Sequence, residues 1–246
     1  MKILVCISST PDTTAKISFS ADNTQFNTAG VQYIINPYDE WYALVRALEL
    51  QETIGGTVTL INVGPATNDA IIRKGLAIGA ENAIRIDAAP LSSMFVAFQI
   101  ATYAKDKGFD LILLGKETID YNGGEVGSML AEYLDLPFIS NATSLNIEGA
   151  KATVARDIEG GSEEAEVELP LVLSASKGMA EQRIPNMKGI MMANRKPLEV
   201  IPAATFDESS LVVSYELPPA KTAVKMIDPN DMDELVRLLH EEAKVL

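Results

Sequence analysis

Gly115-Lys-Glu-Thr-Ile-Asp-Tyr-Asn-Gly-Gly-Glu-Val126 follows an apolar run at 111–114 and leads into a helical pattern from Ser128. A small glycine-rich loop that opens a helix leaves backbone N–H groups free for a phosphate, with the helix dipole adding to the attraction. The segment matches neither GxxxxGK[ST] nor GxGxxG. A tight β-to-α turn that uses Gly for backbone reasons alone is an equal reading. Asp120 within it suits a ribose or a metal, and suits a helix cap as well. Three other segments lie where strands end or helices begin. Ser8-Ser9-Thr10-Pro11-Asp12 follows the opening apolar run, and Asn62-Val63-Gly64-Pro65 closes a second one. Asn36-Pro37-Tyr38-Asp39-Glu40 stands before a helix, where Asn and Asp cap and Pro fits the first turn.

Other chemistries have few residues to work with. Cys6 is the only cysteine and His240 the only histidine in 246 residues. An intrachain disulfide is therefore impossible, and cysteine-cluster metal sites have no ligands. Ser-His-Asp or Cys-His catalysis would rest on one ring, the seventh residue from the end, which reads better as the polar face of a terminal helix. No pair among the 34 acids stands out as an acid/base site. The net charge of −14 disfavours nucleic acid and anionic membranes as partners. No run approaches the ~20 apolar residues that cross a bilayer. The start, MKILVCISS, lacks a secretory pattern, so a cytoplasmic protein is expected.

The elements needed to hold these segments are legible as alternating periods. Residues 2–7, 58–63, 83–86 and 111–114 read as buried strands. Between them, 38–53, about 70–79, 94–107 and 128–134 carry apolar residues at helical spacing. That alternation implies right-handed βαβ units, hence an α/β fold with a doubly wound parallel sheet over residues 1 to about 140. An antiparallel hairpin extension is expected over 144–156 with its turn at Glu148-Gly149, then strands at 163–169 and 170–175.

Residues 177–196 depart from the rest, with Lys177, Arg183, Lys188, Arg195 and Lys196 against one acid, Glu181. They interleave with Met179, Ile184, Met187, Ile190, Met191 and Met192. A basic, methionine-rich stretch in an acidic chain suits a surface that repacks against a partner. A helix whose apolar side joins the core is the competing reading. Irregular chain follows from Pro202 to Ala220, and a last helix is expected over 233–245.

Taken in order, these segments resemble the beta subunit of electron transfer flavoproteins. INPYDEWYALVRALEL is similar to that family's Asn-Pro-aromatic helix entry, and VGPATNDAIIRKGLAIGAENAIRI to its Gly-Pro turn and helix. DLILLGKETID resembles its nucleotide loop, and ARDIEGGSEEAEVELPLVLSA its Gly-Gly hairpin and Leu-Pro strand. RIPNMKGIMMANRKPLEV is similar to its partner-recognition loop, and LPPAKTAVKMI to its Pro-Pro tail.

The resemblance implies a Rossmann-like fold of the adenine nucleotide alpha hydrolase-like kind. It also implies an electron carrier, not an enzyme, with no catalytic residues in this chain and no metal. A larger alpha subunit would share FAD with it, and an AMP would be buried here. The matching positions are Cys6, Asn36, Pro37, Tyr38, Asp39, Val63, Gly115, Lys116, Glu117, Thr118, Ile119, Asp120, Gly123, Gly124, Glu125 and Val126. Residues 175–197 would dock on acyl-CoA dehydrogenase-type flavoproteins through Arg183, Met187, Ile190 and Met191, placing the chain beside fatty acid oxidation with a further redox acceptor downstream. The expected domains are 1–200, binding nucleotide, and 201–246, an arm with a helix packing on the alpha subunit.

Three positions depart from the family pattern. Gly124-Glu125-Val126 replaces Asn-Gln-Thr, Met187 replaces a leucine, and Thr13 stands where relatives have a tyrosine near the flavin. The valine, with Asn36-Pro-Tyr-Asp39, also resembles members that bifurcate electrons and hold a second FAD in place of AMP. A universal-stress-type ATP-binding module shares the scaffold but leaves the hairpin, the basic loop and the arm without a role.

Overall fold

Apolar runs without alternation form the middle of a sheet because both faces of each strand are covered. The computed structural model describes residues 1–220 and 223–246, so Lys221 and Thr222 of the Pro-Pro tail lie outside the described residues. β1 (Lys2–Cys6), β4 (Thr57–Val63), β6 (Leu111–Gly115) and β10 (Leu171–Ala175) are such runs. Along β1, Ile3 and Val5 face one apolar cluster while Leu4 and Cys6 face the other. The first cluster takes Leu44 and Leu48 of α1 (Asp39–Ile54) and Ile72 and Leu76 of α2 (Asp69–Ile78). The second takes Phe95 and Ile100 of α3 (Ser93–Ala104) and Leu130 of α4 (Val126–Leu134). Helices therefore cover both faces, and the fold is the expected doubly wound α/β type.

The remaining strands complete the sheet. They are β5 (Asn82–Asp87), β7 (Phe138–Glu148), β8 (Lys151–Ile158), β9 (Gly161–Glu168) and β11 (Leu198–Pro202). Among the described residues the sheet holds nine strands in the order β11-β5-β4-β1-β6-β10-β7-β8-β9. It is parallel from β11 to β7; β7–β8 and β8–β9 are antiparallel. From β1 the chain steps outward to β4 and β5, then returns to the other side of β1 as β6. The order reverses between β1 and β6, and ligands of such sheets sit beyond the strand ends at that reversal.

Three features differ from the sequence expectation. β7 begins at Phe138, not 144: it first runs parallel to β10 and pairs with β8 from Ala142 on, with a register shift between Ala142 and Ser144 in that second ladder. A bulge of this kind breaks the two-residue alternation that marks a strand. α3 stops at Ala104, not Lys107, because Lys105 turns extended and Asp106 and Gly108 take φ values of 60° and 66°. β11 pairs with β5 through Pro202, so the main sheet continues past residue 200.

A two-stranded antiparallel sheet joins β2 (Ser9–Pro11) to β3 (Tyr33–Ile35) just beyond the end of β1. Short α5 (Met187–Ala193) lies on α2, with Gly189 so close that a Cβ there would meet the Ala77 carbonyl at 2.3 Å. Arg73 donates to the Ala193 and Lys196 carbonyls at 2.7 and 2.6 Å. Lys196 Nζ in turn donates to the Leu76, Gly79 and Ala80 carbonyls at the end of α2, a cation where the helix dipole favours one.

The chain divides into two units, Met1–Ile17 with Asn27–Val213, and Ser18–Phe26 with Ser214–Leu246. In the second, the Phe19 ring stacks on Tyr215 at 4.8 Å and meets Phe26 edge-on at 6.4 Å. The Tyr215 N–H donates to the Asn23 carbonyl at 2.8 Å. α6 (Met232–Leu238) is capped by Asp231, which accepts from Glu234 N at 3.0 Å. It runs on into a wider π turn, Leu239–Ala243, that carries exposed His240. Among the described residues no helix is long and apolar enough to cross a membrane.

Candidate functional site

Asn36 organises the region beyond β1 and β6. It is fully buried, and its backbone N–H donates to the Ser8 carbonyl at 3.2 Å. Its side-chain amide donates to the Glu117 carbonyl at 2.8 Å, while its Oδ1 accepts from Ile119 N at 3.0 Å. Asn36 thus acts as a two-pronged clamp on the loop after β6. The loop then closes on itself: Thr118 N donates to the Gly123 carbonyl at 3.0 Å, and Gly123 N to Thr118 Oγ1 at 3.2 Å. Lys116 pairs with Glu117 at 3.3 Å. Asp120, Gly124 and Glu125 are exposed, and α4 starts at Val126 without a side-chain cap. Glu125 instead accepts from Ser93 Oγ at 2.8 Å.

Gly115 is required by close approach. A Cβ there would lie 2.9 Å from Glu40 Cγ and 3.0 Å from Glu40 N. The start of α1 can come this near the end of β6 only because position 115 has no side chain.

Tyr38 is the centre of a γ-turn. Its φ is 66° and ψ −88°, and Asp39 N donates across it to the Pro37 carbonyl at 3.0 Å. This conformation is rare for a residue with a side chain and costs about 1–3 kcal/mol. It leaves the Tyr38 ring exposed, while Asp39 and Glu40 turn inward. Burial raises the Asp39 carboxyl to about 6; Lys116 opposes that shift and Glu117 adds to it. Burial raises Glu40 further, to about 8, against hydrogen bonds from Ser8.

Cys6 and Val63 close the floor at the ends of β1 and β4, both buried. Burial, and Glu40 beside it, push the Cys6 thiol up and leave it un-ionised. Asn62 holds the β1 end from the neighbouring strand, its amide donating to the Ile7 carbonyl at 2.8 Å. The buried hydroxyls of Ser9 and Thr10, on β2, have no hydrogen-bond partner. Beside the loop on its β7 and β10 side lies a polar cleft of about 480 Å³, bounded by Lys116, Glu117, Gly124, Ser140, Asn141, Asp157, Ser174 and Ser176.

The structure therefore brings the sequence-selected residues Asn36, Asp39, Gly115, Lys116, Glu117 and Ile119 into one hydrogen-bonded or packed assembly. The basic loop lies elsewhere, along α1 and α2. Trp41 Nε1 donates to the Arg183 carbonyl at 3.2 Å, and Arg183 forks onto Glu52 at 2.6 and 3.2 Å. Met187, Ile190 and Met191 are exposed, Met187 at 75%. Of α5 only Ala193 is buried, so the helix does not give its apolar side to the core. Sequence reasoning named Ser8 and Glu40 only as members of their segments and gave neither a role. Glu40 was findable: it shares a helical stripe with Ala43, Leu44, Ala47 and Leu48, all buried.

Neutral backbone and amide groups, glycine close approach, orphaned hydroxyls and a single lysine make a site for binding a polar ligand. Against known proteins, the family model described as Electron transfer flavoprotein domain matches residues 23–206. The chain is 38% identical to "Electron transfer flavoprotein subunit beta" of Bacillus subtilis (strain 168) over 260 aligned residues, covering 100% of both chains. The subunit of that name from Syntrophomonas wolfei is 35% identical, with 91% of this chain and 88% of the relative covered. That from Homo sapiens is 32% identical over 100% of this chain and 99% of the relative.

Proposed function

This chain belongs to the electron transfer flavoprotein beta-subunit family, and from that premise we propose that it carries electrons as one half of a heterodimer with an alpha subunit. The two subunits share an FAD, and this chain buries an AMP. The observation that carries the reading is the loop 115–126, clamped by Asn36 at the β1/β6 reversal. Its backbone, with Gly124 lacking a side chain, forms a cradle, and Gly115 lets α1 pack against the loop's base; orphaned Ser9 and Thr10 hydroxyls lie in the segment that follows β1. Cys6 and Val63 give the adenine an apolar floor. Lys116 and the 117–126 backbone, set in place by Asn36, hold ribose and phosphate.

The flavin supplies the chemistry, accepting electrons from one protein and returning them to the next. This chain binds, orients and excludes water. The exposed Tyr38 ring, held outward by its strained turn, is available to the shared flavin. Donors of the acyl-CoA dehydrogenase type, as in fatty acid oxidation, dock on 175–197, and the electrons leave to a downstream redox acceptor. The setting is the cytoplasm. Reduction of the heterodimer's flavin by a substrate-reduced acyl-CoA dehydrogenase, followed spectrally, tests this role; a flavin that stays oxidised with such donors contradicts it.

Met187 is the expected anchor of docking. A thioether 75% exposed on a helix pinned to α2 is presented for a partner's apolar pocket. Met187→Ala is expected to slow dehydrogenase-to-flavin transfer about tenfold through weaker docking, a loss of about 1.4 kcal/mol. Flavin content should stay unchanged. Unaltered transfer kinetics would remove Met187 from the interface.

A second reading places another FAD where AMP would sit. Gly124, Glu125 and Val126 offer no hydroxyl to a terminal phosphate, and a polar cleft of about 480 Å³ lies beside the loop.

A further inference from the structure

Glu40 joins two strand ends and a helix start at the centre of this site, and no role above uses it. It sits in the first turn of α1 with 6% of its surface exposed. Ser8 N lies 2.7 Å from Oε2 and Ser8 Oγ 2.5 Å from Oε1. Its Cγ and backbone N fill the space that Gly115 leaves open. One side chain therefore fixes β1's exit, α1's start and the base of the loop after β6.

We infer that Glu40 is a positioning residue that works as a neutral carboxylic acid, latching Ser8 to the base of the nucleotide loop, so that nucleotide binding depends on one proton. This rests on the nucleotide-binding reading given above. The geometry suits a reciprocal pair: the acid O–H donates to Ser8 Oγ while the carbonyl oxygen accepts from Ser8 N. The ionisable groups that face it do not oppose neutrality. Asp39 beside it on α1 raises its proton affinity, and Cys6 on β1 is un-ionised. Hydrogen bonds from Ser8 and Asn36 favour the ionised form but are outweighed by burial, and Lys116, the nearby cation after β6, is already paired with Glu117. Burial is the largest influence and puts the carboxyl at about 8. A nucleotide phosphate placed nearby would disfavour ionisation further.

The sign follows from the direction of the shift. A carboxyl raised in the folded chain stabilises fully below the ordinary glutamate value, and that contribution is lost as pH rises to about 8. Nucleotide affinity then falls above that point by up to about tenfold per pH unit.

The test uses the heterodimer, dialysed against radiolabelled AMP, and in parallel FAD, between about pH 6.5 and 9.5. Expected for the native complex is a fall in affinity above pH 8. Glu40→Gln, which keeps both hydrogen bonds and cannot ionise, is expected to bind with native affinity at neutral pH and show no such fall. Glu40→Leu is expected to lose at least tenfold at every pH. Infrared spectra at neutral pH should show a protonated-carboxyl band that Glu40→Gln removes. The same pH fall in Glu40→Gln, or no change in that band, overturns the inference. If the native complex takes up neither nucleotide, the nucleotide reading fails, and the infrared band alone decides whether Glu40 is neutral.

Discussion

Asn36→Ala is expected to cost the folded chain about 2–6 kcal/mol and to leave the complex without its buried nucleotide. The Asn36 side chain satisfies the Glu117 carbonyl and the Ile119 N–H from inside a fully buried position. Truncation leaves both backbone groups unpaired, and each such group costs about 1–3 kcal/mol. With both bonds gone, the loop loses its tie to the β3–α1 connection and its cradle is no longer preorganised. Asn36→Asp separates the two effects. It keeps an acceptor for Ile119 but sets a carboxylate oxygen against the Glu117 carbonyl, so it should fold better than the alanine variant yet bind nucleotide poorly. Denaturant midpoints and nucleotide content of the purified heterodimer read both. Native stability and full nucleotide content in Asn36→Ala would remove the clamp from the site.

Deleting residues 218–246 is expected to weaken the heterodimer at least a hundredfold. Val224, Met226 and Val245 are 76%, 86% and 69% exposed, and Met232 and Val236 add to them. Monomers rarely leave so many apolar side chains in water, and such surfaces mark an interface. Burying each is worth about 1.5–3 kcal/mol before the costs of association are met. A hundredfold loss, about 2.7 kcal/mol, needs only a small surplus. Among the described residues the sheet's strands all lie before 203, so the near-native sheet signal in circular dichroism should hold, with only the helical signal of α6 lost, while size exclusion shows free subunits. An undiminished complex would show that the arm does not hold the alpha subunit.

Legibility in the sequence followed burial. β1, β6 and β10 read as strands because they are covered on both faces and contain little but aliphatic residues. β11 did not, since Leu-Glu-Val-Ile-Pro is an edge strand with Val200 about half exposed and no alternating pattern. β2 and β3, of three residues each, are held by the chain around them and leave no periodic signal.

At the site, the loop 115–126 announced itself by its glycines and its place between strand and helix. The partner of that loop was less visible. Asn36 looked like a helix cap, yet it caps nothing: α1 has no side-chain cap at its start, and the Asn36 amide is spent on the loop 81 residues away. Glu40 looked like one of many acids near a helix start. Only packing against Ser8 and Gly115, which no spacing encodes, distinguishes it. Residues 18–26 gave no hint of joining the C-terminal arm, because the Phe19–Tyr215 stack links positions far apart in the chain.

The central claim is that this chain holds a nucleotide of its own while sharing a flavin with its partner. The most direct test is to purify it with the co-expressed alpha subunit, denature the complex and quantify the released nucleotides by chromatography. One FAD and one AMP per heterodimer is the result expected, and two FAD without AMP would select the second reading. ATP or ADP with no flavin would contradict the account and leave a nucleotide-sensing module in its place.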